Sequence, residues 1–356
     1  MKYYIVAGET SGDLHGSNLV LELYKLDSSA VFRGIGGSHM AAAGVDLSFS
    51  LDRMDFMGFY EVIKNLFTIR RNFKEAKQHI LNFKPDVVIL IDYPGFNLRL
   101  AKWCKKNGFR VIYYISPKLW AWNERRVEII KKYVDAVLCI FPFEVDFYKK
   151  HAYLNAYYVG HPLLDITTIQ EKGALNQVSS DVALLPGSRA QELANLLPVM
   201  MEVTQLFKDQ RFVIAGMSRH KALYPSVLPE NVSIVFDQTH EVISGAKAAI
   251  VCSGTATLET ALFGVPQVII YKTSWINYEI GKRFALVDSI GLPNLIVKQK
   301  IVTELLQQDC NAARIANELT KLLNGEKDNH YDLLKQSMGD KGASEKAAKI
   351  IFDRLL

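Results

Sequence analysis

Two turns in the second half of the chain combine glycine and serine with charged residues. The sequence LLPGSR covers residues 184–189, and SGTATLE covers residues 253–259. Each follows an apolar run that predicts a buried strand and precedes a helical stretch, so N–H groups at the helix start would face an incoming anion. In the first turn, Gly187 and Ser188 lead into Arg189, whose guanidinium adds a bidentate cation.

The second turn repeats this pattern through Ser253, Gly254 and Thr255. Glu259 comes one helical turn after Thr255, where a carboxylate can accept hydrogen bonds from both hydroxyls of a ribose. Either turn alone could be a plain strand-to-helix connection with a capping hydroxyl. Together they predict a site for a nucleotide diphosphate.

Asp92 directly follows the apolar run 87–91, which predicts a carboxylate at the carboxyl end of a buried strand. A partly desolvated carboxylate is a good general base, because burial raises its pKa toward the working pH. A solvated turn before Pro94 and Gly95 is the alternative interpretation. His15 and His161 are reserve candidates for a base or for acceptor binding, and each could equally be a core residue.

A loop follows the first predicted strand, and its glycines allow a ligand to approach the backbone closely. A turn capped by Ser11 or Asp13 is the alternative. The spacing is GxxxG, so the dinucleotide fingerprint GxGxxG is absent and a nicotinamide-dependent oxidoreductase is excluded. The candidate acceptor-binding residues of this loop are Gly8, Glu9, Ser11 and Asp13.

Two further segments are rich in aromatic residues. SPKLWAW at 116–122 carries Trp120 and Trp122, which predict either a wall for a sugar ring or acyl chains, or simply core. Segment 55–73 has a broad apolar surface beside basic residues, as an interfacial helix would on anionic lipid, and an ordinary core helix is the alternative. Its candidate lipid-binding residues are Phe56, Met57 and Phe59, and its basic flank includes Lys64, Arg70 and Arg71.

The composition is that of a globular protein large enough for two cores: 356 residues, 49% hydrophobic and 22% charged. A net charge of +5 suits anionic small molecules or an anionic membrane surface better than nucleic acid. The four cysteines have no CxxC spacing, and a DxD triplet is missing, so we expect no disulfide framework, no metal and no cofactor. A predicted strand begins directly after residue 2, which leaves no room for a signal peptide, and we expect a cytoplasmic protein.

Short β-branched runs alternate with helical stretches in both halves of the chain, which predicts βαβ units and parallel sheets. The polar segment 165–181 reads as the connection between them. We therefore expect an α/β protein with two doubly wound domains that face a cleft: residues 1–165, and residues 166–342. The closing helix 343–356 is expected to pack back on the first domain. The predicted strands are 3–7, 31–35, 87–91, 111–114, 136–140, 157–159, 182–185, 212–215, 232–236, 248–252 and 267–270.

The motifs in their order resemble those of the lipid-A-disaccharide synthase family over almost the whole chain. They are AGETSGD at 7–13, DFMGFYEV at 55–62, IDYPGFN at 91–97, SPKLWAW, VGHPLLD at 159–165, LLPGSR, SGTATLE and LPNL at 292–295. The resemblance implies two Rossmann-like domains of the GT-B type and an inverting transfer. The unit 2,3-diacylglucosamine would pass from its UDP donor to 2,3-diacylglucosamine 1-phosphate, giving the β-1,6-linked lipid A disaccharide phosphate and UDP.

The resemblance also implies roles for individual residues. The family's essential aspartate falls on Asp92 and its essential arginine on Arg189, while UDP contacts fall on Ser188, the turn at 253–255, Glu259 and Asn294. Many members carry a second acidic residue in the Asp92 motif, where this chain has Gly95. We therefore expect Asp92 to act as the only carboxylate of its motif, without a paired partner.

The family further implies a peripheral protein at the cytoplasmic face of the inner membrane and a homodimer with exchanged carboxyl-terminal elements. Two alternatives share the fold and the UDP site: a UDP-N-acetylglucosamine 2-epimerase and a lipid-linked N-acetylglucosaminyltransferase. The motifs around Asp92 and SPKLWAW argue against both. A non-catalytic lipid-binding protein is the alternative of another class, and the joint presence of Asp92, Arg189 and Glu259 argues against it.

Overall fold

The computed structural model describes residues 1–54, 66–165, 178–274, 278–279, 289–326 and 331–354. They fall into two compact units. Unit 1 comprises Met1–Asp165 and Met338–Leu356, and unit 2 comprises Ile166–Ser337. The chain thus returns to unit 1 at Met338, ahead of the closing helix. Of the described helices, none is both long and apolar enough to cross a membrane.

Unit 1 is built on a sheet of seven parallel strands in the order β3-β2-β1-β4-β5-β6-β7. The central strands are continuous apolar runs, as expected where helices cover both faces of a parallel sheet. In β4, for example, all five residues of VVILI are buried. The strands are β1 Lys2–Ala7, β2 Val31–Gly36, β3 Asp46–Ser50, β4 Val87–Ile91, β5 Arg110–Tyr114, β6 Ala136–Cys139 and β7 Ala156–Tyr158.

The helices of unit 1 bury one apolar stripe each against this sheet. The closing helix packs against the first helix, on the face of the sheet away from the main aromatic core. In chain order they are α1 Thr10–Leu26, α2 Ser38–Ala42, α3 Leu66–Phe83, α4 Pro94–Lys106, α5 Leu119–Trp122, α6 Val127–Tyr133 and α7 Pro142–Lys150, with α14 Ala343–Asp353 closing the chain.

Unit 2 has a sheet of six parallel strands in the order β10-β9-β8-β11-β12-β13. Its strands are β8 Val182–Leu185, β9 Phe212–Gly216, β10 Val232–Phe236, β11 Ala248–Cys252, β12 Gln267–Tyr271 and β13 Thr303–Leu306. Two apolar clusters cover the two faces of the sheet. Its helices are α8 Ala190–Leu206, α9 Thr239–Ser244, α10 Thr255–Leu262, α11 Leu292–Val297, α12 Ala312–Leu323 and α13 Tyr331–Met338.

The expected α/β class with two parallel-sheet units is confirmed, and all eleven predicted strands are present with ends within a residue or so. The prediction missed β3 and β13, which lie at sheet edges. In the candidate lipid-binding segment, residues 55–65 lie outside the described part, and the helix that follows, α3, extends to Phe83 rather than ending near residue 73.

Strand order changes direction once in each sheet. In unit 1 the chain moves outward through β2 and β3 on one side of β1, then continues on the other side from β4. In unit 2 the same reversal separates β8 from β11. Such a switch point opens a crevice beyond the carboxyl ends of the two strands, and this is where doubly wound sheets bind their ligands.

Candidate active site

Asp92 lies at the switch point of unit 1, where β4 ends, and its backbone is held in an unusual conformation. Both Asp92 and Tyr93 have positive φ, +41° and +49°, which costs residues with a side chain about 1–3 kcal/mol each. Three hydrogen bonds hold this turn. The Asp92 carbonyl accepts from the Asn97 amide at 2.8 Å and from the Tyr113 hydroxyl at 2.5 Å, and the Asp92 N–H donates to Tyr114 at 3.1 Å.

The conformation of Asp92 and Tyr93 brings the turn against the loop after β1. A Cβ at Gly8 would overlap the ring of Tyr93, so only glycine fits at this position. The Tyr93 hydroxyl donates to the carbonyl of Met54 at 2.7 Å. Gly8 and Asp92, predicted from separate motifs, are therefore neighbours at the carboxyl ends of the strands.

The first turn of α1 carries the other acceptor-binding candidates. Glu9 is the residue that caps α1, and Glu9 and Ser11 are both half-buried. Asp13 is buried, and its carboxylate accepts N–H bonds from Gly37, His39 and Met40 at 2.6, 3.0 and 3.1 Å. These bonds give Asp13 a structural role in anchoring the turn after β2. A contact between Asp13 and an acceptor stays a prediction.

His161 is buried and follows the carboxyl end of β7. Burial lowers the pKa of His161 well below its ordinary value, and the nearby His15 and Lys118 lower it further. The Nδ1 atom accepts an N–H bond from Leu163 at 3.2 Å. The ring is therefore neutral, with its proton on Nε2.

Trp120 of the SPKLWAW motif is positioned by a buried acid that the sequence analysis did not single out. Oε1 of Glu144 accepts a 3.3 Å bond from the Trp120 indole, and Oε2 accepts bonds from the N–H groups of Ile140 and Phe141 at 3.0 and 3.1 Å. Burial raises the pKa of Glu144 to about 7, against these three bonds, which lower it. The side chain of Trp122 lies outside the described part, as do Phe56, Met57 and Phe59.

Part of the signal for Glu144 was present in the sequence. Pro142 stands at the first helical position of α7, and Glu144 follows in the first turn, where an acidic residue is favoured. A glutamate in that position reaches back to the free N–H groups at the start of α7. Its burial beneath Trp120 depends on tertiary packing and has no sequence signal.

In unit 2 the LLPGSR turn leads from β8 into α8, as predicted. Gly187 has φ +105°, a conformation that favours glycine. The N–H groups of Ser188 and Arg189 point to one spot, where both donate to Oε2 of Glu192, at 3.0 and 3.2 Å. Nη1 of Arg189 donates to Oε1 of the same carboxylate at 2.8 Å. The turn therefore forms a binding site for a carboxylate or a phosphate.

A second guanidinium reaches this turn from the neighbouring strand. Arg219 follows β9 and donates from Nη2 to the carbonyl of Ser188 at 2.6 Å. Arg219 comes three residues after Gly216, and it was not singled out from the sequence. Arg219 adds positive charge beside the binding site formed by Ser188 and Arg189.

The second predicted turn lies beside the first, because β11 pairs with β8 across the switch point. The Ser253 hydroxyl donates to the carbonyl of Ile290 at 3.1 Å, and Gly254 caps α10, which begins at Thr255. Around Gly254, no described atom lies within 4 Å of the position that a Cβ would take. The turn can thus admit a ligand close to its backbone.

Glu259 on α10 is paired with a histidine that the sequence analysis missed. Nε2 of His240 lies 3.8 Å from Oε2 of Glu259, and both side chains are largely buried. Burial alone lowers the pKa of His240, but its ion pair with Glu259 and the negative charge of Glu241 outweigh this and raise the pKa above its ordinary value. The pair fixes the carboxylate that was predicted to bind a ribose.

Asn294 makes internal bonds. Its amide donates to the Val302 carbonyl at 2.9 Å and to Glu304 at 2.6 Å, and its Oδ1 accepts from the Val302 N–H at 2.9 Å. Glu304 in turn accepts hydrogen bonds from the N–H groups of Ile290 and Gly291. The carbonyl of Ile290 accepts the bond from the Ser253 hydroxyl. Asn294 thus supports the loop behind the second turn, and a direct UDP contact by Asn294 stays a prediction.

Chemically, the two switch points differ. Unit 1 offers a carboxylate at a fixed backbone position, and unit 2 offers N–H groups, guanidinium groups and a buried carboxylate. The first arrangement suits proton abstraction, and the second suits a nucleoside diphosphate. Within the described ranges, no cluster of three or more His, Cys, Asp or Glu side chains is placed to hold a metal ion.

Comparisons with known proteins agree with this chemistry. A family model described as lipid-A-disaccharide synthetase matches residues 3–351. The chain is 40% identical over 371 aligned residues to a lipid-A-disaccharide synthase of Geobacter sulfurreducens, covering 99% of this chain and 96% of that protein. The corresponding protein of Geobacter metallireducens is 39% identical with the same coverage.

Among solved structures, the chain resembles a UDP-GlcNAc 2-epimerase of Methanocaldococcus jannaschii in complex with UDP-GlcNAc and UDP. The TM-score is 0.69 and the identity 14%, with 99% of this chain and all of that chain covered. At this identity the likeness shows a shared fold, which is the fold of GT-B glycosyltransferases and their epimerase relatives. The family model, by contrast, is matched by sequence over almost the whole chain.

Proposed function

Since this chain belongs to the lipid-A-disaccharide synthase family, we propose that it transfers 2,3-diacylglucosamine from a UDP donor to 2,3-diacylglucosamine 1-phosphate. The products are the β-1,6-linked lipid A disaccharide 1-phosphate and UDP. The observation that carries the proposal is the pair of turns at the switch point of unit 2, which presents N–H groups and the Arg189 guanidinium to one anion.

The donor's diphosphate is assigned to the turn of Gly187, Ser188 and Arg189. Negative charge on the diphosphate grows as its bond to the sugar breaks, so preoriented N–H groups and a guanidinium bind the transition state more tightly than the ground state. The turn of Ser253, Gly254 and Thr255 contacts the remainder of the nucleotide, and Glu259 accepts hydrogen bonds from the ribose hydroxyls.

The acceptor's reacting hydroxyl is assigned to Asp92. The oxygen of the acceptor hydroxyl attacks the anomeric carbon of the donor sugar from the face opposite the diphosphate. As it does so, the bond from that carbon to the UDP oxygen breaks, and the hydroxyl proton passes to the Asp92 carboxylate. A single displacement inverts the anomeric configuration, which gives the β linkage. The three hydrogen bonds and the strained turn fix the backbone of Asp92, from which the carboxylate extends. A base that is held in this way needs little reorganisation to react.

The test is direct conversion of both substrates. Purified protein is incubated with UDP-2,3-diacylglucosamine and 2,3-diacylglucosamine 1-phosphate, and the products are analysed by mass spectrometry for the disaccharide phosphate and by chromatography for UDP. We expect both products in equal amounts. A parallel incubation with UDP-N-acetylglucosamine alone tests for 2-epimerisation. Epimerised sugar, with no disaccharide from the acylated pair, would contradict the proposal.

A peripheral position at the cytoplasmic face of the inner membrane is also proposed, with α3 as the contact. Phe67 at the start of α3 is 83% exposed, and the basic residues Arg70 and Arg71 follow it on exposed positions. A basic residue beside an anionic bilayer contributes about 1 kcal/mol, and salt screens this attraction. An exposed aromatic ring next to such residues is typical of an interfacial helix.

Co-sedimentation with vesicles that contain anionic lipid tests this position. Phe67→Ser should release part of the protein from the vesicles, whereas Leu154→Ser, which changes an equally prominent apolar side chain that is 78% exposed elsewhere in unit 1, should not. Equal binding of both variants and the parent would remove α3 from the contact.

A homodimer with exchanged carboxyl-terminal elements is the last part of the proposal. Within this chain, α14 packs against α1, and Asp165 accepts N–H bonds from Gly342 and Ser344 at 2.7 and 3.1 Å. An exchange would replace these contacts by the same contacts from a second copy, without loss of burial. Light scattering coupled to size exclusion distinguishes the dimer from a monomer.

A further inference from the structure

The donor turn of unit 2 holds a carboxylate from its own chain. Glu192, on the first turn of α8, accepts the N–H bonds of Ser188 and Arg189 on one oxygen and the Arg189 guanidinium on the other, at 3.0, 3.2 and 2.8 Å. These are the donors that the proposed function assigns to the diphosphate of the donor. They converge on a single anion, and Glu192 supplies one.

The glutamate sits tightly against the backbone of the turn. A Cβ at Gly187 would overlap the Glu192 carboxylate, so glycine is needed at position 187 for the carboxylate to take its place. The Glu192 side chain is 16% exposed. It therefore borders solvent, and a rotation about its own side-chain bonds is enough to withdraw the carboxylate while α8 stays where it is.

A phosphate and a carboxylate cannot share this position. The backbone N–H groups have one hydrogen each, and two negative charges placed side by side repel, most strongly where water is excluded. A diphosphate that takes these donors therefore has to displace the Glu192 carboxylate. The displaced carboxylate is rehydrated, which limits what the exchange costs.

From these contacts we infer that Glu192 is an exchangeable internal anion, which competes with the diphosphate for the donor turn and lowers the affinity for UDP. The inference rests on the proposed function, because it takes the donor to be a UDP-sugar. A competitor of this kind weakens the binding of the product UDP as well as that of the substrate, so it favours product release. The opposite role is a permanent cap that orients Arg189 and stays in place when a ligand binds.

Glu192→Gln separates the two roles. Glutamine keeps an oxygen for the N–H groups but removes the negative charge and the ion pair with Arg189. If Glu192 competes, UDP should bind the variant about tenfold more tightly, a change of about 1.4 kcal/mol. UMP, with one phosphate, should gain less. If Glu192 is a permanent cap, the Arg189 guanidinium loses its orientation and UDP should bind more weakly.

Isothermal titration calorimetry with UDP and UMP measures these affinities, and thermal melting reports whether each variant is folded. Glu202→Gln is the matched control, because it removes the same charge from an exposed position further along α8 and should change neither affinity. Glu192→Asp is the second variant. It keeps the charge but is one methylene shorter, so it holds the turn less well, and UDP should again bind more tightly than to the parent.

Each result decides between the roles. Tighter UDP binding to Glu192→Gln, or to Glu192→Asp if the glutamine variant does not fold, supports displacement. Unchanged or weaker binding to the folded variant, with UDP bound normally by the parent, overturns the inference and leaves the proposed function standing. Failure of the parent itself to bind UDP would refute the donor assignment, and the inference with it.

Discussion

The buried acid beneath Trp120 offers a quantitative test of the acceptor side of unit 1. Glu144 is 1% exposed, and three N–H groups donate to its carboxylate. These bonds favour the charged form, while burial favours the neutral form. Burial prevails, and the pKa of Glu144 is raised from its ordinary 4.5 to about 7. The perturbation we choose is Glu144→Gln, which removes the titration and keeps the size of the side chain.

The sign and the size of the effect follow from proton linkage. Between about pH 4.5 and pH 7 the folded protein holds a proton on Glu144 that the unfolded chain has released, so the free energy of unfolding falls as the pH rises through this window. A pKa difference of about 2.5 units corresponds to about 3 kcal/mol. The parent should therefore lose about 3 kcal/mol relative to Glu144→Gln between pH 4.5 and pH 8.

Urea unfolding at a series of pH values measures this difference. Three of the four tryptophans, Trp103, Trp120 and Trp122, belong to unit 1, so tryptophan fluorescence reports mainly on its unfolding. Glu124→Gln, which changes an exposed acid close by, is the control and should run parallel to the parent. The indole N–H resonance of Trp120 should also shift with an apparent pKa near 7. Parallel profiles for the parent and Glu144→Gln would show that the three bonds cancel the effect of burial, and would refute the raised pKa of Glu144.

Three further predictions concern the reaction itself. Asp92→Asn keeps the backbone bonds of the turn but removes the base, so turnover in the mass-spectrometric assay should fall by about two to four orders of magnitude while UDP affinity is kept; a loss of only a few-fold would exclude Asp92 as the base. Arg189→Ala should raise the barrier by roughly 3–4 kcal/mol, and Arg189→Lys should restore only part of this, because a point charge cannot replace the two-pronged guanidinium; full recovery with lysine would rule out bidentate binding. EDTA should leave the rate unchanged, because the N–H groups of the turn and Arg189 are proposed to stabilise the negative charge of the diphosphate. A rate that falls with EDTA and is restored by magnesium would contradict this assignment.

The central strands could be predicted from sequence because each is a continuous apolar run bounded by glycine or polar residues. The two missed strands differ in kind. In β3 the sequence DLSFS alternates polar with apolar residues, and in β13 only one of four residues is buried. Both lie at an edge of their sheet, where one side of the strand has no neighbour, so burial imposes less on their composition.

The site divides in the same way. Motifs that depend on backbone shape, such as Gly8 and Gly187, could be predicted, because glycine marks the turns that need it. The positive φ of Asp92 and Tyr93 could not, since residues with side chains rarely adopt it and only the surrounding hydrogen bonds impose it here. His240 was missed for a similar reason. Its partner Glu259 is nineteen residues away in the chain, and only the fold brings the two together.

The bonds that hold the two switch points differ in what a substrate can do to them. At Asp92 the three fixed bonds join backbone to buried side chains and backbone, and a substrate has no means of replacing them. At Arg189 the bonds end on a carboxylate that borders solvent, and a phosphate offers the same chemistry. The base is thus held in one place before the acceptor arrives, whereas the donor turn exchanges one anion for another. Mutations that loosen the Asp92 turn, such as Asn97→Ala, should therefore lower turnover without changing UDP affinity, whereas Glu192→Gln should change the affinity for UDP.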